Sequence, residues 1–451
     1  MDSTNAATSE ELAASLNYRE TEKIVQPELP PPRIGPMAAL AVPSFRWWFL
    51  SQITSSSGLM TQSVATSWLV LKMTGRGFDL ALLSAATMLP VLCGSAWAGA
   101  LVDRIDRRRL LIATQSSLTV LSGVLFVLIA SGAARYRSIV AVSVASGLVN
   151  AFDGPARQVY VLDLVGRDRL AGAVSLYEVI LNTSRVLGPG LGGLFLALLG
   201  PAACVLANGV SFLAPIAVLI RYRTKATAAV VEIGAAEPSD PAQGSSTRPR
   251  KGKGAARAGL RYAWSIPAIR ACLLLAAACG ILFNPAVLFP LLAVQSFHLS
   301  GGGYGALTAA FGIGALPGAL LAARGGGEPT GRQVGWLAVA TGLCVAVTAY
   351  APNLPLVFLG MGATGMASIW MIARANTLVQ LRADPAMRGR VMGAWTMALP
   401  GMSPVTSIAA GPLADAAGAR AAFAAAGLLI AGITLAGWRG LTSGAAPRSA
   451  G

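Results

Sequence analysis

The sequence predicts an all-α polytopic membrane protein, with twelve transmembrane helices in two pseudo-symmetric six-helix bundles. Three observations lead there. First, 54% of the 451 residues are hydrophobic and only 12% are charged, whereas a soluble chain is about a quarter charged. Second, apolar runs long enough to cross ~30 Å of hydrocarbon recur from about residue 45 almost to the end. Third, one long polar segment, residues 222–258, divides these runs six from six. Only helices or closed barrels satisfy every backbone polar group in lipid. The runs lack the two-residue alternation of barrel strands, which leaves helices.

The twelve runs lie near 46–71, 79–102, 110–131, 138–164, 170–199, 202–220, 268–295, 304–323, 333–351, 355–380, 390–414 and 420–437. Residues 1–44 read as a disordered cytoplasmic tail, because they are polar and end in PELPPPRIGP. No basic stretch precedes a short apolar core there, so the tail is not read as a cleaved signal peptide. Residues 45–221 form the first bundle, 222–262 a cytoplasmic connector, 263–438 the second bundle and 439–451 a cytoplasmic tail.

The formal charge is +16, and the excess lies in loops between apolar runs. That is the pattern of positive charge on cytoplasmic loops, and it speaks against nucleic-acid binding. With both termini inside, the inner loops carry Arg104, Arg107, Arg108, Arg109, Arg167, Arg169, Arg324, Arg332, Arg382, Arg388 and Arg390. The outer loops carry Lys72, Arg76, Arg135, Arg137 and Arg420. A multi-pass protein of the plasma (inner) membrane with cytoplasmic termini is expected. The five cysteines sit singly in apolar runs, as small buried hydrophobes do. The one histidine, His298, lies in a loop. No metal site, no catalytic cluster and no nucleotide-binding loop is read, so no enzymatic activity and no cofactor are expected.

The most specific motif follows the second run: GALVDRIDRRR, residues 99–109. Gly99 lets another helix approach. Asp103 ends the helix beside Arg104, Arg107 and Arg108, where it can pair with Arg107 or face the positive N-terminus of a neighbouring helix. Such a cluster can latch the cytoplasmic ends of two bundles. The plainer reading is a positive-inside loop. The motif resembles the signature loop of the major facilitator superfamily. FDGPARQVYVLDLVGRDRL (152–170), NTSRVLGPGLGG (182–193) and RGRVMGAWTMALPGMSP (388–404) resemble its enterobactin-exporter and transmembrane-secretion-effector branch. The likeness covers about residues 45–437. It implies two six-helix bundles that rock about a central cavity, and secondary transport without ATP. The chain departs from that pattern at Gly172, at Leu59, and in the loop ARGGGEPTGR (323–332), which lacks the Asp–Arg order of the first-half loop.

Within the fifth run, Gly188, Pro189, Gly192 and Gly193 resemble the antiporter motif of exporters in this superfamily. Pro189 frees a backbone carbonyl and the glycines admit a close neighbour. A generic kink is the plainer reading. At ~100° per residue, Glu178, Asn182, Arg185 and Pro189 share one face, which must face protein or water. Asp153 and Arg157 occupy the antiparallel fourth run. Matching depth suggests two cross-helix pairs, Glu178–Arg157 and Asp153–Arg185. A static network is one reading. Proton coupling is the other, since a buried carboxylate binds its proton more tightly when its cation leaves.

Gln52, Gln62, Asn182, Asn284, Arg374 and Asn376 are candidates for lining a cavity, with interhelical hydrogen bonding as the alternative. Asp415 reads as a solvated helix end. The expected protein is a monomeric, proton-driven exporter of small amphipathic molecules, drug-like or siderophore-like. Proton-coupled nutrient uptake and a non-transporting receptor or scaffold are the competing readings. The bilayer and a small-molecule substrate are the expected partners.

Overall fold

The computed structural model describes residues 36–102, 105–166, 169–222, 255–283, 286–324, 327–385, 387–399 and 401–443. The expected tails and most of the connector fall outside these residues. So do Asp103, Arg104 and Asn284, the side chains of Glu178 and Asn182, and the surroundings of Gly99.

Among the described residues every regular element is helical. The spans are, in order, Pro43–Thr74, Gly77–Val102, Arg107–Ala130, Tyr136–Val165, Leu170–Leu198 and the pair Pro201–Ser211 with Leu213–Arg221. After the connector come Pro267–Phe283, prolonged by Leu288–Leu291 and a π turn Leu292–Ser296, then Gly301–Arg324, Gly331–Ala349, Leu354–Arg382, the pair Arg388–Ala398 with Ser403–Ala417, and Ala419–Thr442. Among the described residues nine helices are by themselves long and apolar enough to cross a membrane. The first span is not among them, because its middle reads SQITSSSGLMTQSVATS. Those polar residues face protein: Ser51, Gln52, Ser55, Ser57, Thr61 and Ser67 are all buried.

Four expectations need correction. The first span begins at Pro43, with Pro at the favoured start of a helix, and Pro36–Leu40 is helical inside the expected tail. The last span runs to Thr442 rather than stopping before the tail. The end of the expected connector, Ala255–Ser265, is a helix. Its Gly259–Ser265 part meets Pro267–Phe283 at 108°. The seventh and eleventh spans are not continuous. The sequence places Asn284-Pro285 at the first break and Pro400-Gly401 at the second, and proline removes the amide that would carry the helix through.

Packing is uneven along the membrane normal. The termini and connector define one face. Toward it, the first half has its own core, with Phe45, Trp48, Leu111, Tyr160, Leu164, Leu176, Ile180 and Leu219. Toward the opposite face, Val64, Leu71, Leu80, Leu125, Ile139 and Leu196 belong to one continuous core with the second half. The fifth span runs along the eighth and the second along the eleventh. By contrast Arg388–Ala398, the connector-face part of the eleventh span, packs on Ala255–Ser265, Pro267–Phe283 and Leu354–Arg382, all in its own half. The halves are therefore joined at the opposite face and separate toward the connector face.

Glycine makes that joint. A methyl at Gly193 would lie 2.8 Å from the Cα of Gly305, so the fifth and eighth spans meet backbone to backbone. Gly305→Ala inserts a methyl where no side chain can yield. Overpacking of this kind costs ~1–3 kcal/mol, and a lower midpoint in a detergent thermal melt is the expected result.

Candidate functional site

The fourth span carries Asp153, 1% exposed, at about 18 Å from its connector-face end by helical rise. An isolated carboxylate there would be very costly. Three neighbours compensate it. Arg157, one turn on, forms an ion pair with its Oδ2. Thr114 Oγ1 and Gln115 Nε2, both on the third span, each donate to Oδ1 at 2.7 Å. The other arm of Arg157 donates to Gln52 Oε1 on the first span at 2.6 Å. Trp48 and Tyr160 stack edge to face at 5.2 Å on the connector side. The network thus ties the first, third and fourth spans together. Asp153 takes Arg157 from its own helix as its ionic partner, where spacing had set Arg185 opposite it. An i,i+4 pair costs less ordering than a cross-helix pair.

A second polar cluster lies nearer the opposite face. Gln62 Oε1 accepts from Asn208 Nδ2 at 2.8 Å and from Ser122 Oγ at 3.1 Å. Gln52 and Gln62 thus both make interhelical bonds. Arg374 is likewise bonded to its neighbours. Its Nη2 and Nε donate to Gln333 Oε1 at 2.8 and 3.1 Å, and its Nη1 to the Gly327 carbonyl at 3.3 Å. It braces the tenth span against the start of the ninth. Asn376 accepts from Gln380 of its own helix at 2.8 Å. In hydrocarbon each such group must find a partner in the protein, which explains why these polar residues turn inward to each other.

The Gly188–Gly193 segment sits between two helices. Thr61 Oγ1 on the first span donates to the Gly188 carbonyl at 2.9 Å, and Ser57 Oγ reaches Ser184 Oγ at 3.4 Å. Pro189 withdraws the amide that would bond the Arg185 carbonyl. A methyl at Gly312 on the eighth span would come within 2.6 Å of that carbonyl oxygen. The proline-freed carbonyl and the missing side chain thus coincide. Gly188 and Gly192 face the first span, while Gly193 faces the eighth.

Arg185 points across the joint. Its guanidinium lies over the Phe283 ring of the seventh span, 5.4 Å from the centroid. Phe283 stands edge-on to Phe311 of the eighth span at 6.3 Å, and Phe311 to Phe289 at 5.4 Å. Phe283 is the last described residue before the seventh-span break. The eleventh-span break lies alongside, since a methyl at Gly280 would come within 2.7 Å of the Leu399 carbonyl. Buried Ser403 begins the helix after that break, and its hydroxyl makes no hydrogen bond. Between the halves the chain therefore presents a guanidinium, an aromatic wall and interrupted backbone.

The basic loop after the second span has internal partners. Asp106 caps Arg107–Ala130, accepting from the amides of Arg108 and Arg109 at 2.9 and 3.1 Å. Arg107 binds Asp163 at the end of the fourth span, at 2.8 and 3.0 Å. Arg108 Nε donates to the Leu219 carbonyl at the end of the sixth span, at 2.6 Å. Both arginines hold their own half together.

The opposite face has a clasp that the sequence did not reveal. Asp415 Oδ1 and Oδ2, on the eleventh span, accept from the amides of Gly77 and Phe78 at 2.6 and 2.9 Å. These amides open the second span, where the helix dipole favours an anion. Gly77 and Gly411 pack beside them: a methyl on either would come within 2.7 and 2.6 Å of the other's carbonyl. Asp415 is bonded, not merely solvated. A Gly four residues before an Asp in an apolar run was the available signal.

A family model described as transmembrane secretion effector matches residues 34–442. The chain belongs to the transmembrane secretion effector family. It is 30% identical over 392 residues to the "Multidrug efflux pump Tap" of Mycobacterium tuberculosis, covering 84% of this chain and 88% of that protein. It is 27% identical over 183 residues to the "Staphyloferrin A transporter" of Staphylococcus aureus, covering 40% and 46%. Among solved structures, a bacterial homologue of the human lysosomal transporter Spinster, inward-facing and unoccupied, superposes with a TM-score of 0.65 at 13% identity. That match covers 88% of this chain and 98% of that one. The likeness shows the fold: this multi-pass membrane transporter has the major facilitator architecture.

Two outcomes test this geometry. Arg157→Gln strands a buried carboxylate and should cost ~3–5 kcal/mol. Asp153→Asn/Arg157→Gln together should melt higher than Arg157→Gln alone. Asp415→Asn weakens the clasp by about 1 kcal/mol, near the usual value of a helix cap. Spin labels at Arg137→Cys and Pro352→Cys, on opposite halves of this face, should then show a larger long-distance population.

Proposed function

We propose that this transporter exports small amphipathic molecules, drug-like or siderophore-like, against a proton gradient by alternating access. The observation that carries the reading is the Asp153–Arg157 pair, desolvated deep in a span and held by Thr114, Gln115 and Gln52. A receptor or scaffold gains nothing from the cost of burying it. The named activities of the relatives, multidrug efflux and staphyloferrin A transport, support the substrate class. The guanidinium and phenyl rings at Arg185, Phe283 and Phe311 suit amphipathic substrates with an aromatic or anionic part.

The connector face is cytoplasmic in this reading, because basic residues concentrate in its loops. The protein is then a monomer of the bacterial inner membrane, closed outside and open inside. The network around Asp153 lies wholly in the first half, so rigid rocking alone leaves it intact. Span one supplies the link. It meets the fifth span through Thr61–Gly188 and Ser57–Ser184, and the fifth span meets the eighth at Gly193–Gly305. When the fifth and eighth spans part, the first span shifts and Gln52 draws on Arg157. Asp153 then loads a proton on one side and releases it on the other. Asp103, Glu178 and Arg185 are the further charges of this scheme, with Asp103 engaging the Arg388–Arg390 loop when the inner side closes.

The test is uptake of dyes, drugs and siderophores into everted vesicles under an imposed pH gradient, with and without protonophore. Wild type should accumulate substrate only with the gradient. Asp153→Asn, shown to be folded, should lose at least ~90% of that uptake, since an obligatory carrier has no substitute. Full uptake in Asp153→Asn would reduce the pair to a structural role.

A further inference from the structure

The helix Ala255–Ser265 has one face committed to the protein. Ala263 is fully buried. Gly259 lies against the Arg390 side chain, where a methyl would come within 2.6 Å of its Cβ. Tyr262 Oη accepts from the Asp384 amide at 3.0 Å. Asp384 and Arg390 flank the start of the eleventh span at its connector-face end, and the helix packs along Arg388–Ala398. The other face is uncovered. Leu260 is 51% exposed and Trp264 48%, with exposed Arg261 between them. Spacings of three and four residues place these side chains on one stripe. The 108° bend to Pro267–Phe283 turns the helix axis across the span direction, into the plane of the membrane surface.

Apolar residues and Trp on an in-plane helix, with an arginine beside them, match the water–hydrocarbon boundary. The Leu and Trp side chains reach acyl chains, while the arginine stem lies along them and its head meets a phosphate. We infer that this stripe is a docking surface for anionic phospholipid of the leaflet on the connector side, and that its occupancy biases the inner end of the eleventh span. This rests on the alternating-access reading only for its second clause. Lipid held by Arg261 and Trp264 presses the helix against Arg390 and fixes the Tyr262–Asp384 bond. That steadies Arg388–Ala398 against its own half, which is the arrangement open at the connector face.

The purified full-length protein is placed in vesicles of phosphatidylcholine containing either brominated phosphatidylcholine or brominated phosphatidylglycerol. The difference in fluorescence between wild type and Trp264→Phe isolates Trp264. About one basic side chain at the surface gives roughly fivefold enrichment of anionic lipid. Brominated phosphatidylglycerol should accordingly quench Trp264 more strongly than brominated phosphatidylcholine, and Arg261→Gln should abolish the difference. Equal quenching by the two lipids, or a difference that survives Arg261→Gln, would overturn the docking surface. Spin labels at Arg169→Cys and Leu381→Cys, with Cys93 replaced, report the connector-face separation without any substrate. Phosphatidylglycerol should enlarge the separated population in wild type, and Tyr262→Phe should remove that response while leaving the quenching intact. A separation indifferent to lipid in wild type, with quenching intact, would overturn the coupling alone. Loss of uptake in everted vesicles bears on the transport reading and on neither of these measurements.

Discussion

Hydrocarbon offers no partner to a charge or a peptide group, and most of this structure follows from that constraint. Asp153 cannot remain in a span without compensation, so it gathers a guanidinium, a hydroxyl and an amide from two helices. Gln62, Ser122 and Asn208 settle one another by the same rule. Even the backbone obeys it. The carbonyl freed by Pro189 lies where Gly312 leaves room, and the carbonyl of Gly188 is taken by Thr61. In the first span Gln52, Ser57, Thr61 and Gln62 are each bonded to another helix, so its polar middle is taken up by contacts within the first half.

The joint between the halves uses the weaker kind of contact. Glycine pairs at Gly193–Gly305 and Gly77–Gly411 bring backbones together without interdigitating side chains. At these points the surfaces gain dispersion energy when closed, with no side chain standing between the two backbones. The clasp of Asp415 on the Gly77 and Phe78 amides is similarly light, because water can replace it at a surface-exposed end. Heavy interactions hold each half together, among them the Arg107–Asp163 pair and the Arg374–Gln333 brace. A protein built to exchange two arrangements needs this inequality: stiff within halves and light between them.

The fold was legible because its signal is long and redundant. Twelve apolar runs, a polar divider and arginine-rich loops each point to the same architecture, and an error of a few residues at a boundary changes nothing. The site was legible only in part. Asp153, Arg157 and Arg185 stand out as charges where charges are costly, so their importance needs no register. Their partners do need it. Thr114 and Gln115 are ordinary polar residues in the third span, and only helix rotation decides that they face Asp153. Asp415 reads as a helix end because the amides it caps lie 338 and 337 positions away in sequence. The breaks in the seventh and eleventh spans were spelled by Asn284-Pro285 and Pro400-Gly401, but hydropathy runs straight through them. In Ala255–Ser265 the helical period was present, masked by the polar segment in front of it.

The two halves divide the labour. Among the described residues the Asp153–Arg157 and Arg107–Asp163 pairs lie in the first half, while the second half supplies interrupted helices and phenylalanines around Phe283 and Phe311. A charge pair confined to one half is insensitive to a rocking motion unless some element of that half also feels the other. The first span meets this need, since it bonds Arg157 through Gln52 at one depth and the Gly188 carbonyl through Thr61 at another. The Nε2 of Gln52 is buried and makes no hydrogen bond, so this side chain holds Arg157 through its oxygen alone. A link with one bond on each side transmits displacement without adding stiffness of its own. An unsatisfied amide also lowers the cost of rearranging there, because less is lost when the bond breaks. Passing a displacement on to the Asp153–Arg157 pair requires a contact that is specific yet inexpensive to change, and Gln52 has both properties.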